Sequence, residues 1–426
     1  MKPLSERVRQ IVPSPTMRLD AKAKQMLSEG ADVINLSVGE PDISTPAAAA
    51  EAAMHAIRGG FTRYTEVGGI AELRRAVVAH AKAFLGLDYQ PDQVVVSNGG
   101  KHSLYNVFAA LLDPGDEVII PSPYWVSYPE QVKAVGGRPV IVRTDESSGF
   151  KATPAALEAL VSPRTQAIVI NSPSNPTGVV YTRGELQAIA QLALEHDLYI
   201  VSDEIYDRLV FAEEGFCSIA TLGEAIRERT IVVNGWSKAY GMTGWRLGYT
   251  LSNSALAKAF RDFQGHTTSN VCSIAQMAAL GALETGLAGL AGLAERFRLR
   301  RDFTLSLLAR MGIRSVVPGG AFYVFPNLGG FVGRGYRGRA GTAPLRIDSV
   351  DTFCRVLLED FEVSIVPGAG FGAPGNARIS YAVDLGRLEE ALERLREFIA
   401  RLERAPAQAA GLQFRRRERS SWQSIS

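Results

Sequence analysis

The segment with most chemical content is Asn234-Gly-Trp-Ser-Lys-Ala-Tyr-Gly-Met-Thr-Gly-Trp-Arg-Leu-Gly-Tyr249, which follows the β-branched run Thr230-Ile-Val-Val233. That run reads as a buried strand, so Lys238 lies just beyond a strand end. A lysine in a polar loop is ordinarily a solvated surface charge. Here small and aromatic residues crowd it, Arg246 follows eight positions later, and no acidic residue intervenes. A desolvated amine near a second cation loses its proton more readily, and the neutral amine is a nucleophile able to form an imine with an aldehyde.

An aldehyde cofactor such as pyridoxal phosphate would need a carboxylate for its ring nitrogen, a donor for its ring oxygen and a cradle for its phosphate. The run Leu198-Tyr-Ile-Val-Ser-Asp-Glu-Ile-Tyr206 reads as a strand ending near Asp203, with Tyr206 three residues on. Asp203 is the candidate carboxylate and Tyr206 the candidate donor. Arg246 has the planar fork that grips phosphate.

These segments carry a resemblance. Ser202-Asp-Glu-Ile-Tyr206, Asn175-Pro-Thr-Gly178 and Ser237-Lys-Ala-Tyr-Gly-Met-Thr-Gly-Trp-Arg246 resemble the signature segments of class I pyridoxal-phosphate aminotransferases of fold type I, most nearly the bacterial aspartate/prephenate aminotransferase branch. The resemblance covers roughly residues 10 to 405 with the motifs in the family's order. It implies an α/β fold, with a mostly parallel seven-stranded sheet between helices in a large domain and a smaller α+β domain. The expected division is an arm at 1–45, a cofactor domain at 46–295, a small domain at 296–404 and a basic, disordered tail at 405–426. It implies catalytic roles for Lys238, Asp203 and Tyr206, with Ser237 among the cofactor-binding residues. It also implies a homodimer, because Tyr64 matches a tyrosine that reaches the cofactor phosphate of the neighbouring subunit.

The elements that must position these groups read as alternating strands and helices from about residue 90 to 250. Gln93–Ser97 is a strand and Lys101–Leu112 a helix, joined by Asn98-Gly-Gly100. Gly99 and Gly100 allow bare helix-terminal amides to approach a phosphate. Lys101 can neutralise that phosphate or meet a second carboxylate on the substrate; the resemblance associates a lysine here with acidic side chains. Trp125 offers a flat face to a pyridinium ring, or is core. Asn175, after the strand Ala167–Ile170, has an amide that can serve both the ring oxygen and a substrate carboxylate. In such sheets ligands bind beyond the carboxyl ends of the strands.

Outside this region, Gly39 lies in the turn Ser37-Val-Gly-Glu-Pro-Asp42 and matches a family glycine beside the substrate carboxylate. Arg378 lies in an otherwise apolar strand, where it needs an anion: a permanent internal carboxylate or, as the resemblance implies, the substrate α-carboxylate. One family branch holds a distal carboxylate with an arginine where this chain has Gly265. The departure leaves Lys101 as the candidate. Ser273 to about Arg310 reads as one long helical stretch. The Gly- and Arg-rich segment 329–343 reads as a loop, either reading a substrate side chain or lying on the surface.

Composition excludes several alternatives. With 426 residues and 46% hydrophobic content the chain can bury large cores, and a formal charge of +2 gives no reason to expect nucleic acid. Arg415, Arg416, Arg417 and Arg419 against Glu418 concentrate the basic excess in the tail. The three cysteines are far apart, which fits a reducing cytoplasm. Five histidines without ligand-like spacing argue against a metal, and no apolar run is long enough for a membrane span. The expected activity is ping-pong transfer of an amino group between an L-amino acid and a 2-oxo acid, with an acidic partner. Elimination, decarboxylation or oxidation on the same apparatus, and a non-catalytic sensor, are the alternatives.

Overall fold

The computed structural model describes residues 2–12, 15–286, 290–338 and 345–403. Its centre is a seven-stranded sheet, here numbered β1 (Val94–Ser97), β2 (Glu117–Ser122), β3 (Arg138–Arg143), β4 (Thr165–Asn171), β5 (Tyr199–Asp203), β6 (Thr230–Gly235) and β7 (Gly248–Leu251). The spatial order is β1-β7-β6-β5-β4-β2-β3. β2 to β6 run parallel, and β7 is antiparallel to both β1 and β6. Central strands such as Val232 and Val233 on β6 have no exposed surface. Both faces of the sheet are therefore covered, which is why these strands read as apolar runs rather than alternating ones.

Helices pack on each face. Helix Gly100–Leu111 joins Leu104 and Phe108 to Val118 and Val201 in one core, and helix Arg183–Glu195 joins Leu186 and Ile189 to Ile168 and Ile200 in another. Burying each such side chain contributes about 1.5–3 kcal/mol. A separate core gathers the C-terminal elements, helices Leu293–Arg310, Val350–Phe361 and Leu385–Ala400, around the strand pair Tyr323–Val324 and Ala377–Ser380. Ile34 and Leu36 from the N-terminal segment belong to this core, with Ile34 opposite Val363 in a parallel pair.

Two expectations need correction. The stretch from Ser273 is not one helix; helices Ser273–Glu284 and Leu293–Arg310 are separate, with Gly286 and Gly292 both at positive φ. Glycine adopts that conformation at no steric cost and suits a helix end. The strand read as ending at Asp203 does end there, and Glu204 to Tyr206 turn away from the sheet. The 329–343 segment is not wholly loop: Gly335–Tyr336 pairs with Leu345–Arg346, and Tyr336 also bridges Leu402 beside the last helix. Positions 339–343 of that segment, and the tail at 405–426, lie outside the described residues.

Candidate active site

The sheet order explains how distant residues meet. β4, β5 and β6 lie side by side, with Asn171 opposite Asp203 and Asp203 opposite Val233. The turns leaving their carboxyl ends therefore bring Asn175, Asp203 and Lys238 to one cavity of about 320 Å³, within the usual range for a small-molecule site. Asn171 braces two of the three turns. Its side chain accepts from the Asn175 amide at 2.8 Å and donates to the Asp203 carbonyl at 3.0 Å.

β7 brings in the phosphate-side groups. Gly248 pairs with Ser97 on β1 and Gly235 on β6, so the Asn98-Gly-Gly100 turn and Arg246 converge. A Cβ on Gly248 would lie 2.3 Å from the Gly100 nitrogen, and one on Gly99 would lie 2.7 Å from Arg246 Nη2. Backbone leaves no room for a side chain at Gly248, and at Gly99 a φ of 82° favours glycine while a side chain would displace the Arg246 guanidinium. Helix Gly100–Leu111 starts here, and its first amides have no partner inside the helix. With Arg246 and Ser237 lining the same cavity, the dipole, the amides and the guanidinium form a cradle for a phosphate.

Lys238 lies partly exposed in the cavity and donates to the Gly39 carbonyl at 2.5 Å. Burial, then the Arg378 cation, lower its pKa to about 8, from the 10.5 of an ordinary lysine. Asp203 is buried and accepts from Tyr128 Oη at 2.6 Å and from the Ile205 amide at 3.2 Å. Burial pushes its carboxyl up, and the Tyr128 hydrogen bond acts against that rise. Among the described residues no cation forms an ion pair with Asp203. A protonated ring nitrogen would supply the charge this carboxylate lacks. The groups present thus fit a pyridoxal phosphate at both its ring and its phosphate end.

Arg378 is 2% exposed and donates to Asn175 Oδ1 at 2.9 Å and to the Ser37 carbonyl at 2.6 Å. Its Nε is buried with no partner. Among the described residues no carboxylate pairs with it, so the permanent internal partner is absent. Trp125 and Lys101 stand together, the Lys101 amine 5.0 Å from the ring centroid. Gly39 lines the cavity, and its segment is anchored by Asp42, which takes both hydrogen bonds of the Arg300 fork at 2.7 and 2.6 Å. Two candidates do not line this cavity: Gly99, which stands against Arg246, and Tyr64, which is 92% exposed. The 329–343 segment contributes no lining residue among those described.

Sequence reasoning passed over two tyrosines. Tyr128 stands three residues after Trp125 and meets Asp203, and Tyr323 lines the cavity with its hydroxyl 2.9 Å from that of Tyr206. Both sit in runs that read as ordinary core. Glu40 and Thr243, hydrogen-bonded at 2.8 Å, also line the cavity.

The low pKa of Lys238 has a stability consequence. Between about 8 and 10.5 the unfolded chain binds a proton that the folded apoprotein does not, so stability rises with pH across that window and the penalty is complete below it. Lys238→Met in cofactor-free protein should therefore raise Tm at pH 7 by about 2 °C or more, a gain that shrinks toward pH 10. An equal shift at both pH values in thermal melts would show that charge burial is not its cause.

A lysine and an aspartate at the carboxyl ends of a mostly parallel sheet, with a phosphate cradle on one side and a buried arginine on the other, define a pyridoxal-phosphate-dependent transferase of fold type I. The comparisons narrow this. The family described as aminotransferase class I and II matches residues 31–395, and the chain belongs to that family. It is 44% identical to an aspartate aminotransferase of Bacillus subtilis over 93% of this chain and 98% of that one. It is 45% identical to an aspartate/prephenate aminotransferase of Cereibacter sphaeroides, covering 94% and 99%. The solved aspartate aminotransferase of Rhizobium meliloti superposes with a TM-score of 0.88 at 39% identity, over 95% of this chain and all of that one. The protein is an aminotransferase, moving an amino group between an amino acid and a 2-oxo acid.

Proposed function

We propose that this chain binds pyridoxal phosphate through Lys238, Asp203, Tyr206 and the Gly99–Gly100–Arg246 cradle, and transfers the amino group of a dicarboxylic amino acid, aspartate or glutamate. The carrying observation is that, besides Lys238 and Arg246 assigned to the cofactor, two further cations without carboxylate partners among the described residues line the cavity, Arg378 buried on one side and Lys101 beside Trp125. One can take the α-carboxylate in a two-bond fork and the other the distal carboxylate. The names of the Bacillus and Cereibacter relatives agree with an acidic partner.

When bound, pyridoxal phosphate would supply an electrophilic aldehyde carbon for the substrate amine and a ring that accepts electron density. The chain supplies the rest. Arg378 and Asn175 hold the carboxylate and fix the orientation of the α-carbon. Lys238 Nζ, poised near neutral pH, takes the α-proton and later returns it. Tyr206 would offer its hydroxyl to the ring oxygen, and Asp203 would keep the ring nitrogen protonated. Tyr64, exposed on its loop, serves the phosphate of a second copy, so the working unit is a homodimer.

The test is stoichiometric. Holoenzyme mixed with aspartate or glutamate and no oxo-acid acceptor should release about one equivalent of the matching oxo acid per subunit and then stop. Continuous release of ammonia or carbon dioxide would replace amino transfer with elimination or decarboxylation. A burst with neutral or aromatic amino acids but not with acidic ones would remove the assignment of Lys101.

A further inference from the structure

We propose that Tyr323 is a positioning residue whose hydroxyl ties Tyr206 to the Arg378 side of the cavity, so that the phenol serving the cofactor is tuned from where the substrate carboxylate binds. The inference rests on the cofactor reading above and adds a residue to it. Tyr323 is fully buried on the short strand Tyr323–Val324, next to the strand that carries Arg378. Tyr206 follows β5. The two rings meet edge to face at 5.9 Å, with hydroxyls 2.9 Å apart. The Arg378 guanidinium lies over the Tyr323 ring, 4.6 Å from its centroid. Gly39 closes the remaining side: a Cβ there would fall 2.7 Å from the Tyr323 oxygen.

Two phenols at this distance share one hydrogen between them. Among the described residues Tyr323 Oη has no other hydrogen-bond partner, so its useful bond is the one it donates to Tyr206. The Tyr206 proton is then free to point into the cavity, and it is a better donor for accepting a bond itself. The Arg378 cation acts on both phenols, against the burial that holds them protonated, and lies over the Tyr323 ring; the direction of the bond rests on the geometry, which leaves Tyr323 Oη no second partner among the described residues. The other charged groups acting on this set are Glu40 on Tyr323, Asp203 on Tyr206, and Arg378, Glu40, Arg246 and Asp203 on Lys238. The ring and the hydroxyl thus have separable tasks. The ring supports Arg378; the hydroxyl sets the strength of Tyr206.

The experiment is a pH titration of the visible absorbance of the lysine-linked cofactor in holoenzyme, for wild type, Tyr323→Phe, Tyr206→Phe and the double variant. A donor facing the ring oxygen favours the deprotonated linkage, so Tyr323→Phe should move the midpoint up by about half a unit. In the Tyr206→Phe background the same change should move it by less than a third of that. No shift, or equal shifts in both backgrounds, would overturn the proposal. Titration with succinate, an unreactive dicarboxylate, reads the other task. Tyr323→Phe should hold its affinity within about twofold and Tyr323→Leu should weaken it about fivefold, and equal weakening would overturn the division between ring and hydroxyl. A wild-type protein with no titrating band, indistinguishable from Lys238→Ala, would instead take away the cofactor reading itself and the proposal with it.

Discussion

Lys238→Ala is expected to lower kcat by about 10⁴-fold, the upper range for removing a positioned proton-transfer group. Its Nζ is held toward the cavity by the Gly39 carbonyl at 2.5 Å, and burial together with Arg378 brings its pKa to about 8. No neighbour can replace it. Lys101 stands across the cavity over Trp125, and the arginines do not lose their protons. The measurement is steady-state turnover of aspartate with 2-oxoglutarate, repeated with added methylamine. A small free amine can enter the space vacated by the side chain and restore part of the proton transfer without restoring the tether. Rescue that rises with amine concentration and pH supports the assignment. Turnover within tenfold of wild type, with no response to amine, would show that another group does this work.

Much of this site was legible because its residues sit at strand ends, where period and position are strong signals. The runs Ala167–Ile170 and Thr230–Val233 were apolar because both faces of the sheet are covered, and the turn residues after them had to point one way. Asn175, Asp203 and Lys238 then share a cavity by topology alone. Gly99 was readable as permissive backbone. That Gly248 is equally constrained was not, since its need arises from β7 crossing the first helical turn, a contact between segments far apart in sequence.

The rest was hidden for the same reason. Tyr128 and Tyr323 look like core aromatics, and they are core; each also places a hydroxyl against a site residue that no local pattern reveals. The break between helices Ser273–Glu284 and Leu293–Arg310 was masked by alanine and leucine, which favour helix on both sides of it. The Gly- and Arg-rich segment had no periodicity to read, yet part of it pairs as a hairpin against the C-terminal helix.

Arg378 separates stability from function most sharply. A buried guanidinium without a carboxylate is costly to the fold, and this one is held by a side-chain amide oxygen and a backbone carbonyl, with Nε left over. In the proposed function that cost is offset by an anion that arrives with the substrate. Arg378→Leu should therefore lower kcat/KM for aspartate by about 10²–10³-fold, the cost of removing a buried charged partner. In the cofactor-free protein it should leave Tm unchanged or raise it, because the uncompensated charge is gone and an apolar side chain of Leu shape meets Phe371 and Tyr323 in its place. Arg378→Lys keeps the charge but loses the fork, so it should recover only part of the binding. A structural arginine would give the opposite pattern, a large fall in Tm with kcat/KM falling only as far as folded protein is lost. Thermal melts of apoprotein beside initial rates of holoenzyme, on the same preparations, distinguish the two.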